Sequence, residues 1–323
     1  MSVKKRDQLR LPKQKKPATP LTPSAEIYLP TYHFLLNEFQ HARRHEKGIL
    51  EDSDEEFIHQ YRIALRRCRA LISLLKPLFY KPQRDMLKNE LKTLMLRTNL
   101  IRDLDVFLLN MENYFFLLDH KYHKGLISFF DGLQDKRLNS LTELKVWLQS
   151  ENYEQQCQLI IGLLKEMKEQ PRDAGKVGTH TIAHDSLWQH FKQVESYCLE
   201  ITPKSPDTNI HALRIECKKL RYLLEYFAPV LPKKAAKQQI THLKSLQDTL
   251  GNFNDSSVQL AFLQHYNRSQ KSPAFQHKAI DELIRETASK HQHDKKETIE
   301  QINIFRKSKN LDLFYQLYEK HKK

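Results

Sequence analysis

Apolar residues recur at helical spacing from Ile27 to about Glu169, with interruptions around Glu51 to Glu55, at Lys81-Pro82 and around Asn113 to His120. Recurrence at i, i+3 and i+4 marks one buried stripe on a helix, so this stretch predicts four or five amphipathic helices. Helix-breaking residues gather in Pro171 to Gly178, which reads as a linker, and a second helical series follows it. Residues 1–26 mix Lys, Arg, Pro and Thr without any period and are expected to form a flexible basic tail. The pattern predicts an all-α fold. With only 7 glycines in 323 residues, hairpin-dense β architectures and Gly-rich phosphate loops are both disfavoured.

The second helical series repeats the first at a constant offset of 152 residues. Ile58, His59, Arg62, Ile63, Arg69, Leu71, Pro77 and Lys81 fall on Ile210, His211, Arg214, Ile215, Arg221, Leu223, Pro229 and Lys233. Leu91, Lys92, Leu94, Asp103, Val106 and Leu108 fall on Leu243, Lys244, Leu246, Asp255, Val258 and Leu260. Arg66 and Arg67 meet Lys218 and Lys219, and upstream Leu35, Phe39 and Ile49 keep the apolar frame with Leu187, Phe191 and Ile201. The expected organisation is one helical domain over 27–323, made of repeat one (27–170), a linker (171–180) and repeat two (181–323). Two such units could form separate domains, but repetition of polar residues as well as apolar ones favours two pseudo-symmetric bundles paired about a two-fold axis and sharing one site.

At 100° per residue, His59, Arg62, Arg66 and Arg69 share a sector of about 80°. Tyr61, Ala64, Leu65, Cys68, Ile72 and Leu75 fill the opposite, core-facing side. The second repeat aligns His211, Arg214, Lys218 and Arg221 in the same way, with Arg67 and Lys219 displaced from both stripes. A solvated helix face interleaves acids at i, i+4 to offset like-charge repulsion. Between Phe57 and Pro82 there is no acid, and the second helix has only Glu216 and Glu225. An uncompensated cationic face that occurs twice at one spacing predicts an anion site. The crowding also predicts that Arg62→Gln with Arg214→Gln would relieve repulsion and raise the melting temperature of the empty protein.

Charge agrees with that reading, since the formal net charge is +14. Phosphate chains suit such faces because every unit is anionic and offers oxygens that arginine grips in pairs and lysine meets as a point charge. The helix after each stripe supplies further candidates, among them Lys88, Lys92, Arg97 and Arg102 in the first half and Lys244 and Asn254 in the second. Asp103 and Asp255 read as orienting partners of neighbouring arginines. Four cysteines without CxxC spacing argue against a zinc knuckle or disulfide scaffold and fit a reducing cytoplasm. No export signal or stretch of 18 apolar residues is apparent, so neither secretion nor a membrane span is expected.

The segments IHQYRIALRRCRALISLLKP and IHALRIECKKLRYLLEYFAPVL resemble the two signature helices of CHAD domains, the conserved-histidine α-helical domains. RTNLIRDLDVFL and LQDTLGNFNDSSVQL resemble the helices that follow them. The resemblance spans Tyr28 to the C-terminus and implies two helical bundles around a basic cavity that binds inorganic polyphosphate, with association to polyphosphate granules. Carried over by position, its phosphate ligands are His59, Arg62, Arg66, Arg67, Arg69, His211, Arg214, Lys218, Lys219 and Arg221, to which the repeat adds Lys92 and Lys244. Thr98-Asn99 stands where family members often have Leu-Gly before the Arg-Asp, a departure that bears on the turn or helix packing there. No Glu-x-Glu-x-Lys signature of a CYTH triphosphatase is present, so a stand-alone, non-catalytic module without cofactor or metal is expected.

Two other function classes remain open on sequence. A metal-dependent phosphoanhydride hydrolase is raised by His184-Asp185 and His293-Asp294, although such a site needs further ligands on neighbouring helices. An RNA- or DNA-binding protein is raised by the net charge and by Lys4, Lys5, Arg6, Arg10, Lys13, Lys15 and Lys16, which face only Asp7 in the tail. Against it, aromatic residues do not alternate with the basic stripes. Oligomeric state and polymer length preference are not encoded in any feature of the pattern.

Overall fold

The structure is a computed structural model that describes residues 10–16, 18–269, 273–307 and 309–319. Among these the regular structure from Tyr28 onward is helical, and the one β-type contact is an isolated bridge between Glu26 and Gly178. It divides into two compact units, residues 1–106 with 136–179 and residues 107–135 with 180–323.

The first unit begins with α1 (Tyr28–Arg43), α2 (Glu46–Glu51) and α3 (Glu55–Leu74). After a 3-10 turn at Lys76–Leu78 come α4 (Lys81–Arg97) and α5 (Asn99–Leu109). Asp54 starts α3 by accepting the Glu56 backbone N–H at 2.9 Å, and Glu55 and Glu56 place negative charge at the positive end of the helix. The apolar side of α3 is the expected one: Tyr61, Ala64, Leu65, Cys68, Ile72 and Leu75 are all buried. They pack in the core with Leu35 and Phe39 of α1 and Leu91 and Leu94 of α4. Truncating one of them, as in Leu65→Ala, would cost about 2–5 kcal/mol.

After α6 (Met111–Leu117), α7 (His123–Leu148) re-enters the first unit at Lys136, and α8 (Glu151–Glu169) follows in that unit. Ser150 caps α8, accepting the Tyr153 N–H at 3.2 Å, so the last stretch of the first half is two helices where the apolar period alone runs on. Arg43 fastens α1 to α8 through Glu154 at 2.7 Å, and Tyr153 hydrogen-bonds Glu46. Asp52 ends α2 in the left-handed conformation at φ 50°. Its carboxylate is gripped by both terminal nitrogens of Arg137 at 2.9 and 3.1 Å, while Arg137 Nε donates to the buried Asp105 at 2.6 Å.

The segment 107–135 belongs with the second half, not with the first as the sequential division at 170 had it. Aromatic packing accounts for this, since Phe107 meets Phe262 at 4.4 Å and Phe129 meets Tyr266 at 5.0 Å between ring centroids. Gly125 permits the approach: a Cβ there would lie 2.5 Å from the Ala279 Cβ and 2.6 Å from the Phe275 carbonyl oxygen.

The second unit continues with α9 (Thr179–Glu200), α10 (Asp207–Phe227), a 3-10 turn at Ala228–Val230, α11 (Lys233–Ser269), α12 (Ala274–Lys307) and α13 (Lys309–Tyr318). The starts of α10, its 3-10 turn and α11 each lie 152 residues beyond those of α3, its 3-10 turn and α4. At Thr98 the equivalence fails. α4 and α5 are broken there, whereas α11 runs unbroken through Leu250-Gly251.

Residues 10–16 and 18–26, in the segment expected to be a free tail, form no helix but touch the first unit. The Lys15 carbonyl accepts from the Asn37 side chain at 2.6 Å, Gln14 bonds Glu38, and the Ala25 carbonyl accepts the Thr179 N–H at 3.0 Å. Lys4, Lys5 and Arg6 lie outside the described residues. The expected linker holds a short 3-10 turn at Asp173–Gly175, packed against Tyr28, and its last two residues already belong to the next helix.

Candidate functional site

On α3, His59, Arg62, Arg66 and Arg69 are all half-buried and lie opposite the core side chains. Arg62 is the most constrained. Its Nη1 donates to the Met95 carbonyl at 2.8 Å, to Thr98 Oγ1 at 2.8 Å and to Asn99 Oδ1 at 2.7 Å. It thereby serves carbonyl and side-chain acceptors at the end of α4, where backbone acceptors lack helical partners. Burial lowers its proton affinity, with Arg66 and Arg102 adding to the effect and Asp103 opposing it, so its pKa falls to about 10.

His59 is likewise shifted down, by burial first and then by Arg102, with Arg66 and Arg62 adding and Glu56 opposing. Four cationic or proton-accepting side chains from α3 and α5 therefore feel one another. Arg66 and Arg102 make no side-chain hydrogen bond or ion pair with a described residue. Asp103 is exposed; burial of its environment raises its carboxyl pKa, with Arg62 and Arg102 pulling it back. Arg69 reaches Met95 Sδ at 3.7 Å, and its Nε is buried without a hydrogen-bond partner.

The stripe on α10 has the same spacing and different company. His211 stacks obliquely near Phe253, lies 3.5 Å from Ser257 Oγ and hydrogen-bonds Asn254, the residue equivalent to Arg102. Burial lowers its pKa, with Arg214 and His291 adding and Asp207 and Asn254 opposing. Arg214 and Lys218 are half-buried. Arg221 is engaged twice, by Glu225 at 2.6 Å and by Gln247 at 3.1 Å, and Gln247 is the counterpart of Met95.

Arg67 and Lys219, carried over as ligands by resemblance, are placed elsewhere, in keeping with their displacement from the stripes. Arg67 lies 3.9 Å from the buried Glu38 of α1. Lys219 meets the buried Glu216 at 2.5 Å, and Glu216 also meets His190 at 3.2 Å. Burial pushes the Glu216 carboxyl up, but His190 and Lys219 together hold it below its usual range. A buried carboxylate needs a cationic partner, and that need directs both side chains. Lys92 and Lys244 are exposed and make no hydrogen bond or ion pair with a described residue.

Beneath the α10 stripe, Asp207 accepts from His291 Nε2 at 2.8 Å and Lys295 Nζ at 2.9 Å, while His291 Nδ1 lies 3.1 Å from Ser256 Oγ. Ser256 and His291 are buried, so this Ser-His-Asp chain knits α10, α11 and α12 and offers no nucleophile to solvent. Of the pairs considered for a metal site, His184 lies 3.6 Å from Asp185, His293 is exposed, and Asp294 is held by Lys290. Among the described residues no three His, Cys, Asp or Glu side chains gather as metal ligands. No described helix is long and apolar enough to cross a membrane.

The family model described as the CHAD domain matches residues 33–264. The crystal structure of the CHAD domain from the plant Ricinus communis is similar, with a TM-score of 0.66 at 20% identity over 94% of this chain and 95% of that one. PptA from Streptomyces chartreusis gives a TM-score of 0.66 at 13% identity, over 87% and 99% of the respective chains. At those identities the likeness is one of fold. A search of curated proteins found no match.

Proposed function

This chain belongs to the CHAD domain family, and from that footing we propose that it binds inorganic polyphosphate on the cationic faces of α3 and α10 without acting on the polymer's bonds. The observation that carries the reading is the α3 face, where Arg66 and Arg102 stand beside His59 and Arg62 and, among the described residues, form no ion pair. Cationic groups in a half-buried setting lack the full screening of water, so their mutual repulsion is relieved by an incoming anion. Arg62, fixed by three hydrogen bonds through one nitrogen, cannot swing away from its neighbours. A polyanion that meets such a preset cluster loses little to side-chain ordering.

Polyphosphate matches the cluster better than a single phosphate, because once one unit is held the next arrives at high effective concentration. The test is a titration of orthophosphate, triphosphate, long-chain polyphosphate and RNA against the same protein at fixed salt. Long polyphosphate should bind far more tightly than orthophosphate and displace RNA, and affinity should fall steeply with salt as counterions are released. Chain length should be unchanged after incubation with divalent metal. Preference for RNA, or shortening of the polymer, would overturn the reading.

A further inference from the structure

The strongest feature outside the basic faces is apolar. α6 carries the sequence MENYFFL, and Phe116, next to its last residue, is 89% exposed. Leu117 is 50% exposed, and Leu109 and Met111 at the entrance of the helix are 49% and 38% exposed. The helix is held firmly from beneath: the buried Tyr114 stacks on Phe107 at 6.0 Å and on Phe130 at 5.9 Å. With Tyr114 pointing inward, Phe116 two residues on is obliged to point outward. Phe115 packs its ring against His123 at 5.1 Å and Phe130 at 6.0 Å of α7. Ile127, 53% exposed, lies at helical spacing on the same α7 face as His123 and Phe130, the face that Phe115 packs on. Exposed apolar residues gathered in this way mark an interaction site.

We propose that this α6–α7 patch is where the chain meets a second copy of itself. Charge selects the occupant. The molecule carries +14, so copies repel one another and any surface that binds anions is cationic. Residues 107–124 are different: Glu112 and Asp119 balance Lys121 and Lys124, and Asp119 is already paired with Lys121 at 3.3 Å. A locally neutral rim gives an anionic membrane or nucleic acid no electrostatic hold. It does give two positively charged copies a place to approach with the least repulsion, and a two-fold contact would set the acids of one rim against the lysines of the other.

The experiment is light scattering or sedimentation equilibrium on the full chain without polyphosphate, across a micromolar concentration series and at low and high salt. A species of twice 38.4 kDa is expected at the upper concentrations. It should tighten with salt, opposite to polyanion binding, because salt screens the repulsion and leaves the apolar contact. Phe116→Glu should raise the dimer dissociation constant at least about tenfold while leaving the melting temperature and polyphosphate affinity unchanged. Ile127→Lys provides the same readout should Phe116→Glu fail to fold. A 38.4 kDa species at every concentration, or a dimer that survives both substitutions, would overturn the proposal. So would binding of the monomer to phosphatidylcholine–phosphatidylglycerol vesicles that is lost in Phe116→Glu, since that would make a membrane the occupant.

Discussion

Arg69 and Arg221 stand at equivalent places on α3 and α10, each one turn before a residue that decides its surroundings: Ser73 in the first unit and Glu225 in the second. Ser73 turns its hydroxyl to the Arg69 carbonyl, whereas Glu225 takes the Arg221 guanidinium. The contrast recurs along both stripes. Met95 offers Arg69 a thioether where Gln247 offers Arg221 an amide oxygen. Arg102 pushes the proton off His59 where Asn254 hydrogen-bonds His211. The two stripes keep one spacing, but the first is left electrostatically open while Arg221 in the second is already answered by the protein's own side chains. A repeated sequence therefore does not imply two equal sites, and the α3 face should carry most of the affinity.

The largest test of that contrast is Arg62→Ala. Removing three hydrogen bonds to a charged donor should destabilise the protein by about 2–3 kcal/mol, seen as a lower midpoint in denaturant unfolding. Arg214→Ala, at the equivalent place where α11 has no break to serve, should cost less. This reverses the sign expected from repulsion alone, by which Arg62→Gln would raise the melting temperature, because the structure uses Arg62 to close the end of α4. A melting temperature that rises in Arg62→Gln would restore the simpler picture.

Next comes affinity. Arg66→Ala with Arg102→Ala should weaken polyphosphate binding by about 2 kcal/mol, roughly thirtyfold by calorimetry at fixed salt. Lys218→Ala should cost only a few-fold. Equal losses would mean that the two faces are interchangeable after all. A smaller effect sharpens the comparison further. Exchanging the neighbours, Ser73→Glu in the first unit and Glu225→Ser in the second, should lower and raise affinity respectively by about 0.5 kcal/mol, the scale of a partly exposed pair.

The smallest effect is on protons. Burial and Arg102 hold His59 below the usual histidine pKa, so it is neutral in the empty protein at pH 7. A phosphate chain reverses the local field and favours the imidazolium, so binding takes up protons and affinity rises as pH falls into the ordinary histidine range near about 6.5. For the unliganded protein the sign is the opposite. A depressed folded-state pKa means that stability fully present above about 6.5 is lost progressively as pH falls from there through the lower folded-state value. Calorimetry in buffers of different ionisation heat should detect uptake that His59→Gln diminishes.

Much of this was legible in the residues. The apolar period placed Tyr61, Leu65, Cys68 and Ile72 in the core, and the helical wheel set Arg67 and Lys219 outside the stripes before any contact was known. What stayed hidden depends on how one helix registers against another. Arg102 was one of several basic residues on the following helix, and only the packing of α5 beside α3 distinguishes it from Lys92, which is exposed. Glu38 lies on α1, far in sequence from Arg67, so their pairing leaves no local signal. Ser150 did leave one, a cap residue followed by Glu151, but the apolar period continued across it and concealed the break.

The joint at Thr98 has a further consequence, in how the molecule breathes. α11 covers 37 residues without interruption, a rod about 55 Å long at 1.5 Å per residue, and its central amides can exchange with solvent only by opening a long cooperative stretch. α4 and α5 cover the equivalent ground in two pieces of 17 and 11 residues, so each can fray from the joint without unwinding the other. Arg62 closes that joint from α3, and Arg102 rides on the first turn of the shorter piece. Opening at Thr98 would thus move one member of the cationic cluster relative to the rest, and a polymer that bridges Arg66 and Arg102 would act as a splint across this joint.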